Sequence, residues 1–164
     1  MAAELKIEKG DFALGTLDDE LRVDGLCKEL LRNFYDQLLD DGLSPSRATE
    51  LAGSADYFVR DFLVSIKQLN LFTEVLGTVR QFAGNWYIVS TLEPNMTELG
   101  RHLEGIREFY RFLHRRGWIA ASCMEKIESE CSEAAYYESR IESFWNISGD
   151  GYGAWERECS LKQD

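Results

Sequence analysis

The chain has 164 residues, 45% of them hydrophobic and 12% aromatic, which fits one globular domain and excludes a disordered tail-like protein. It carries 29 acidic and 18 basic side chains, a formal net charge of −11 that on its face argues against nucleic acid and against an anionic membrane surface. Charge is scattered through Met1 to Phe12 with no apolar leader, and no run approaches the roughly 18 apolar residues a membrane span needs, so a cytoplasmic protein is expected.

Residues 1–15 read as an N-terminal arm. Thr16 followed by Asp19 forms a capping-box pattern, and Asp18, Asp19 and Glu20 suit the positive end of a helix dipole. The helix it opens is expected to run to about Asp41, with Leu21, Leu30, Leu31, Phe34, Leu38 and Leu39 on its apolar face and Gly42 as a left-handed cap. Ser44-Pro45 then reads as a cap followed by a first-turn proline. Leu51, Ala55, Phe58, Phe62 and Ile66 step by three and four along the second helix. Asn70 is placed to cap a third helix carrying Phe72, Val75, Leu76, Val79 and Phe82. Residues 85–92 have strand-forming character in Trp86-Tyr87-Ile88-Val89, yet they also continue the helical spacing; helix is favoured because a lone strand would have no partner.

Pro94 breaks the chain and Asn95 caps a fourth helix, in which Leu99, Leu103, Ile106, Tyr110 and Leu113 step by four and three before Gly117. Ser122 with Glu125 resembles a further capping box. It is expected to open a fifth helix through Met124, Ile127, Cys131, Ala134, Glu138, Ile141 and Trp145. Residues 148–164 are rich in glycine and acid and are expected to be a flexible tail. The expected architecture is all-α: a single bundle of about five helices over residues 16–147.

Chemistry is sparse. Cys27, Cys123, Cys131 and Cys159 form no CxxC pair and are expected as reduced thiols, and two histidines leave little scope for a metal cage. No phosphate loop, dinucleotide fingerprint, nucleophile elbow or zinc-protease motif occurs, so neither an enzyme nor a cofactor is expected.

Charge is unevenly distributed. Residues 1–43 hold 11 acids and 5 bases, residues 127–164 hold 9 and 3, and residues 96–126 hold 4 and 6. On a wheel of about 100° per residue, Arg107, Arg111 and Arg115 form one stripe of the fourth helix, with Arg116 off it near the helix end. Such a stripe can contact successive phosphates, or it can pair with Glu104 and Glu108 as a solvated face. Phe112 falls away from the core stripe, where it either covers another helix or marks a partner surface. Ile141 and Trp145, on the seam of the last helix, are further candidates for a partner surface or for self-association. His102 lies at the edge of the apolar face, suited to a packed, hydrogen-bonded role.

Leu39-Asp40-Asp41-Gly42-Leu43-Ser44-Pro45-Ser46, Tyr57-Phe58-Val59-Arg60-Asp61-Phe62-Leu63 and the run from Leu103 to Ile119 together resemble the core-binding, SAM-like N-terminal domain of tyrosine recombinases (phage integrases). The resemblance covers about 90 residues, Leu30 to Ile119, and its last motif is the most specific. It implies a SAM-like four-helix core, here followed by an extra C-terminal helix, and a module that clamps the DNA backbone. Arg107, Arg111, Arg115 and Arg116 are then the candidate DNA contacts. Arg47 stands where the family's junction has threonine, and no HxxR box of the catalytic domain is present, so strand exchange is not expected. Two functions therefore stand: a non-catalytic module touching DNA or a recombination partner, and a protein-interaction domain that does not bind DNA.

Overall fold

The computed structural model describes residues 6–158, and among these it is helical throughout, without strands. A short 3₁₀ turn, Lys9–Phe12, buries Phe12 against Phe72. Helix α1 spans Leu17–Asp40 and starts at the expected capping box: Thr16 accepts from the Asp19 amide while Asp19 accepts from that of Thr16. Of its expected apolar face Leu30, Leu31, Phe34 and Leu38 are buried, whereas Leu21, in the first turns, is exposed. Gly42, at φ +95°, lets the Leu43 amide reach back to the Leu38 carbonyl and closes the helix.

Helix α2 starts at Pro45 behind the Ser44 cap, is α-helical through Asp56, and continues as a π-helical turn set over Tyr57–Lys67. The wider i→i+5 pattern rotates the side chains off the 3.6-residue register. Ile66, expected on the apolar face, is consequently exposed, whereas Val59, Leu63 and Val64 are buried.

The third helix begins later than expected. Asn70 does cap, accepting from the Phe72 and Thr73 amides, but the turn it starts stops at Gly77, whose φ is +85°. Helix α3 then runs through Thr78–Gln81, a second π-helical stretch at Phe82–Trp86, and Tyr87–Ser90. Residues 85–90 are thus helical. The two π-helical stretches face each other across rings: Phe82 lies 5.3 Å from Phe58 and 5.6 Å from Phe62, and Trp86 lies 5.2 Å from Tyr57.

Helix α4, Met96–Arg115, is capped by Asn95 and buries all five residues of its expected stripe. It crosses α2 at Gly105, where a Cβ would lie 2.5 Å from Ser54 Cβ and 2.7 Å from the Leu51 carbonyl. Only hydrogen fits at that crossing.

The C-terminal third corrects the expected single helix. Helix α5, Ala121–Cys131, starts from Ala120 and receives no side-chain cap, so the Ser122 box does not form. The chain breaks at Ser132 and Glu133, and α6, Ala134–Trp145, begins in a new rotational setting. Ile141 of the expected seam points inward, but Tyr137 and Arg140 take the place of Ala134, Glu138 and Trp145. A seventh helix, α7, covers Tyr152–Arg157 inside the segment expected to be flexible, and buries Trp155. The described residues therefore hold seven helices rather than about five. One contiguous core runs from Phe12 to Trp155.

Candidate interaction surfaces

The arginine stripe of α4 is folded into the molecule's own ion pairs. Arg111 donates through Nε to Glu128 of α5 at 2.6 Å and through Nη1 to Glu108 at 2.7 Å. Arg115 lies 3.7 Å from Asp41, just past the end of α1, and Arg107 donates to the Ser132 hydroxyl at 3.2 Å. Glu104, the expected partner of Arg107, turns instead to Arg47 of α2. The Arg111 guanidinium holds the Glu128 carboxyl below the usual range, and the carboxylate in turn raises Arg111. Exposed pairs of this kind add at most about 1 kcal/mol each to stability. Their larger effect is to cancel the positive potential that a phosphate backbone would meet.

Arg116, the off-stripe arginine, donates through Nη2 to Asn33 at 3.4 Å and Gln37 at 3.2 Å. Its guanidinium also lies 5.1 Å from the Phe112 ring centre and 5.8 Å from that of Trp118. With Gln37, Phe112 and Arg115 it borders a small open cleft of about 180 Å³. The four candidate arginines are therefore not brought to one open face. Two are ion-paired, one bonds a hydroxyl and one is held by amides and rings.

Two of the three candidate partner-surface residues lie inside. Phe112 is 1% exposed, packed 5.5 Å from Phe34 of α1 and 5.8 Å from Trp118, because α1 covers the flank of α4 that a single-helix wheel leaves open. Ile141 is 6% exposed and keeps the inward position its place on the seam implies. Trp145 remains outside, 56% exposed.

Around Trp145 the rings form a chain across the α6–α7 corner: Trp145 to Phe144 at 6.1 Å, Phe144 to Trp155 at 5.2 Å, and Trp155 to Tyr152 at 6.0 Å. Trp155 is buried at the centre, while Tyr152 is exposed. Glu138 and Glu142 share the outward face of α6 with Trp145, both exposed, and neither forms an ion pair among the described residues.

Two polar features escaped the sequence reading. Arg140, 4% exposed, donates to the carbonyls of Gly84 (2.9 Å) and Trp155 (2.8 Å) and lies 3.9 Å from the Trp155 ring centre, tying α3, α6 and α7 together. The 4 and 3 spacing of Tyr137, Ile141 and Phe144 carried the correct register of α6 and would have placed Arg140 beside it. Glu130 of α5 accepts from the Gly77 and Arg80 amides, both at 3.0 Å, and so restarts the backbone as helix α3. Burial raises its carboxyl, partly offset by those two amides.

His102 is packed and hydrogen-bonded, as expected. Its Nδ1 lies 3.1 Å from the Ser54 hydroxyl, its Nε2 4.0 Å from Glu98, and its ring 5.1 Å from that of Tyr57. Burial lowers its pKa, with Glu98 opposing. Ser54 sits at the tight α2–α4 crossing, 8% exposed, so the group is a packing element without room for a substrate. Cys27, Cys123 and Cys131 are free thiols; burial pushes Cys27 and Cys131 up to about 12, far from thiolate reactivity. Cys159 lies outside the described residues.

Among the described residues no group of three or more metal-ligating side chains converges, and no helix is long and apolar enough to cross a membrane. Comparison with known protein families, characterised proteins and solved structures returns no match.

Proposed function

We propose that this chain is a non-catalytic protein-interaction module built on a SAM-like helical core, with the DNA-clamping role of the recombinase domains it resembles silenced. The observation that carries this reading is the clamp on Arg111. The guanidinium at the centre of the stripe is held between Glu108 and Glu128, and Glu128 comes from the helix that follows the region of resemblance. A phosphate would have to displace both carboxylates, on a chain whose net charge is already −11. The exposed aromatic corner at α6–α7 supplies what an interaction domain needs, a fixed apolar anchor on a polar surface.

The DNA reading keeps one point in its favour, the one-turn spacing of Arg107, Arg111 and Arg115. An electrophoretic mobility assay separates the two, using duplex and branched DNA at about 50 mM salt and upward. The interaction reading expects no retarded band. A salt-sensitive band that disappears in Arg111→Glu/Arg115→Glu would overturn it.

A further inference from the structure

We infer that the α6–α7 corner is the docking surface, and that its occupant is a basic segment of another protein carrying arginine or lysine beside an apolar side chain. The inference rests on the interaction-module reading and names its partner class. The geometry points there through three features that coincide. Trp145 is 56% and Tyr152 43% exposed; Trp145 packs against Phe144, Tyr152 against the buried Trp155, and Phe144 and Trp155 against each other. Tryptophan and tyrosine held rigid at a surface are the side chains that most often anchor an interface.

The charge beside them then selects the partner. Glu138 and Glu142 lie on the same outward face of α6 as Trp145 and are in no ion pair among the described residues. This contrasts with Glu108 and Glu128, whose charges are spent on Arg111. A guanidinium or ammonium that stacks on an aromatic face while facing a carboxylate gains from both contacts. Glutamates at the rim also steer a cationic partner during encounter.

A second copy of this chain fits the surface poorly. A two-fold contact would set the Glu138 and Glu142 pair of one copy against that of the other. The chain's own candidate basic stripe is meanwhile held in internal pairs.

The test uses the full chain, labelled with ¹⁵N, and a synthetic helical peptide of about twelve residues alternating arginine and leucine turns. The side-chain indole resonance of Trp145, identified by its loss in Trp145→Phe, should move on titration. Affinity should fall about tenfold or more in Glu138→Lys/Glu142→Lys and in Trp145→Ala. It should hold within about twofold in Asp18→Lys/Glu20→Lys, which makes the same change in net charge at the start of α1. Equal losses in both charge variants would mean non-specific attraction and would overturn the inference, as would a Trp145 resonance that stays in place up to about 1 mM peptide. Sedimentation velocity adds a third outcome: a dimer that Trp145→Ala dissolves would assign the corner to a second copy and overturn the partner class. The DNA assay decides the broader reading on its own, so failure here and failure there are distinguishable.

Discussion

Helices α4 and α6 each turn a charged face outward, and the two faces meet opposite fates. Two arginines of the α4 stripe are answered from within the molecule, Arg111 by Glu108 on the same helix and Glu128 on α5, and Arg115 by Asp41 at the end of α1. The glutamates of α6 are answered by nothing among the described residues and lie beside an exposed tryptophan. A charged stripe is therefore informative about function only once its neighbours in space are known. Arg107, Arg111 and Arg115 look like a free binding face on a wheel, whereas in the fold Arg111 and Arg115 are ion-paired while still exposed. Glu138 looks like a flaw in a core seam and belongs to an open face.

The comparison can be broken by removing the scaffold beneath both faces. Gly105→Ala should be the most damaging single change, because a methyl at 2.5 Å from Ser54 Cβ and 2.7 Å from the Leu51 carbonyl forces α2 and α4 apart. A loss of about 3 kcal/mol is expected in chemical denaturation. Arg140→Met should follow at about 2–3 kcal/mol, since it removes the buried donor that ties the Gly84 and Trp155 carbonyls to α6 and so loosens α7. The same variant should lose peptide affinity at the α6–α7 corner, because Tyr152 is carried on α7.

The buried flank of α4 sharpens the contrast through pH. Burial lowers the folded-state pKa of His102 below its ordinary 6.5, so protonation favours the unfolded chain. The stability this neutral histidine preserves is fully present above its ordinary value of about 6.5 and is lost as pH falls from there through the lowered folded-state pKa. Thermal melts at about pH 7.5 and about pH 5.5 should show a drop that His102→Gln reduces; an unchanged drop would remove His102 as its source. The carboxylates whose pKa values are lowered by their partners, Asp19, Asp24 and Glu128, lose their contribution only at still lower pH.

The smallest stability effect belongs to the open face. Glu138→Lys/Glu142→Lys should change unfolding free energy by no more than about 0.5 kcal/mol, measured by denaturant titration. A larger loss would mean that these side chains hold the fold and are not free for a partner.

Helix starts and stops were legible where the signal is local. Thr16 with Asp19, Ser44 with Pro45, the Asn95 cap, and the glycines at 42 and 117 all act within a few residues of themselves, and each sits where the sequence places it. What escaped was set at a distance. The π-helical stretches shift the register, so Ile66 leaves the core although its spacing from Phe62 is ideal for an α-helix. Helix α3 starts at Thr78 because Glu130, more than fifty residues later, receives its first amides. Arg140 is buried because two carbonyls of other elements reach it. The candidate site divides the same way: the stripe on α4 could be read from one helix, whereas its closure depends on α5 and α1. The glycine-rich entry to α7 hid a helix whose one buried residue, Trp155, is meaningful only against Arg140.

The central claim is that Glu108 and Glu128 close the arginine face, and one side-by-side mobility assay tests it. Wild-type chain and Glu108→Gln/Glu128→Gln are run with the same duplex at about 50 mM salt. The variant keeps the shape of both side chains and should cost no more than about 1 kcal/mol in stability. The wild type should give no retarded band and the variant a salt-sensitive one. Retardation of the wild type, abolished by Arg111→Glu/Arg115→Glu, would contradict the claim.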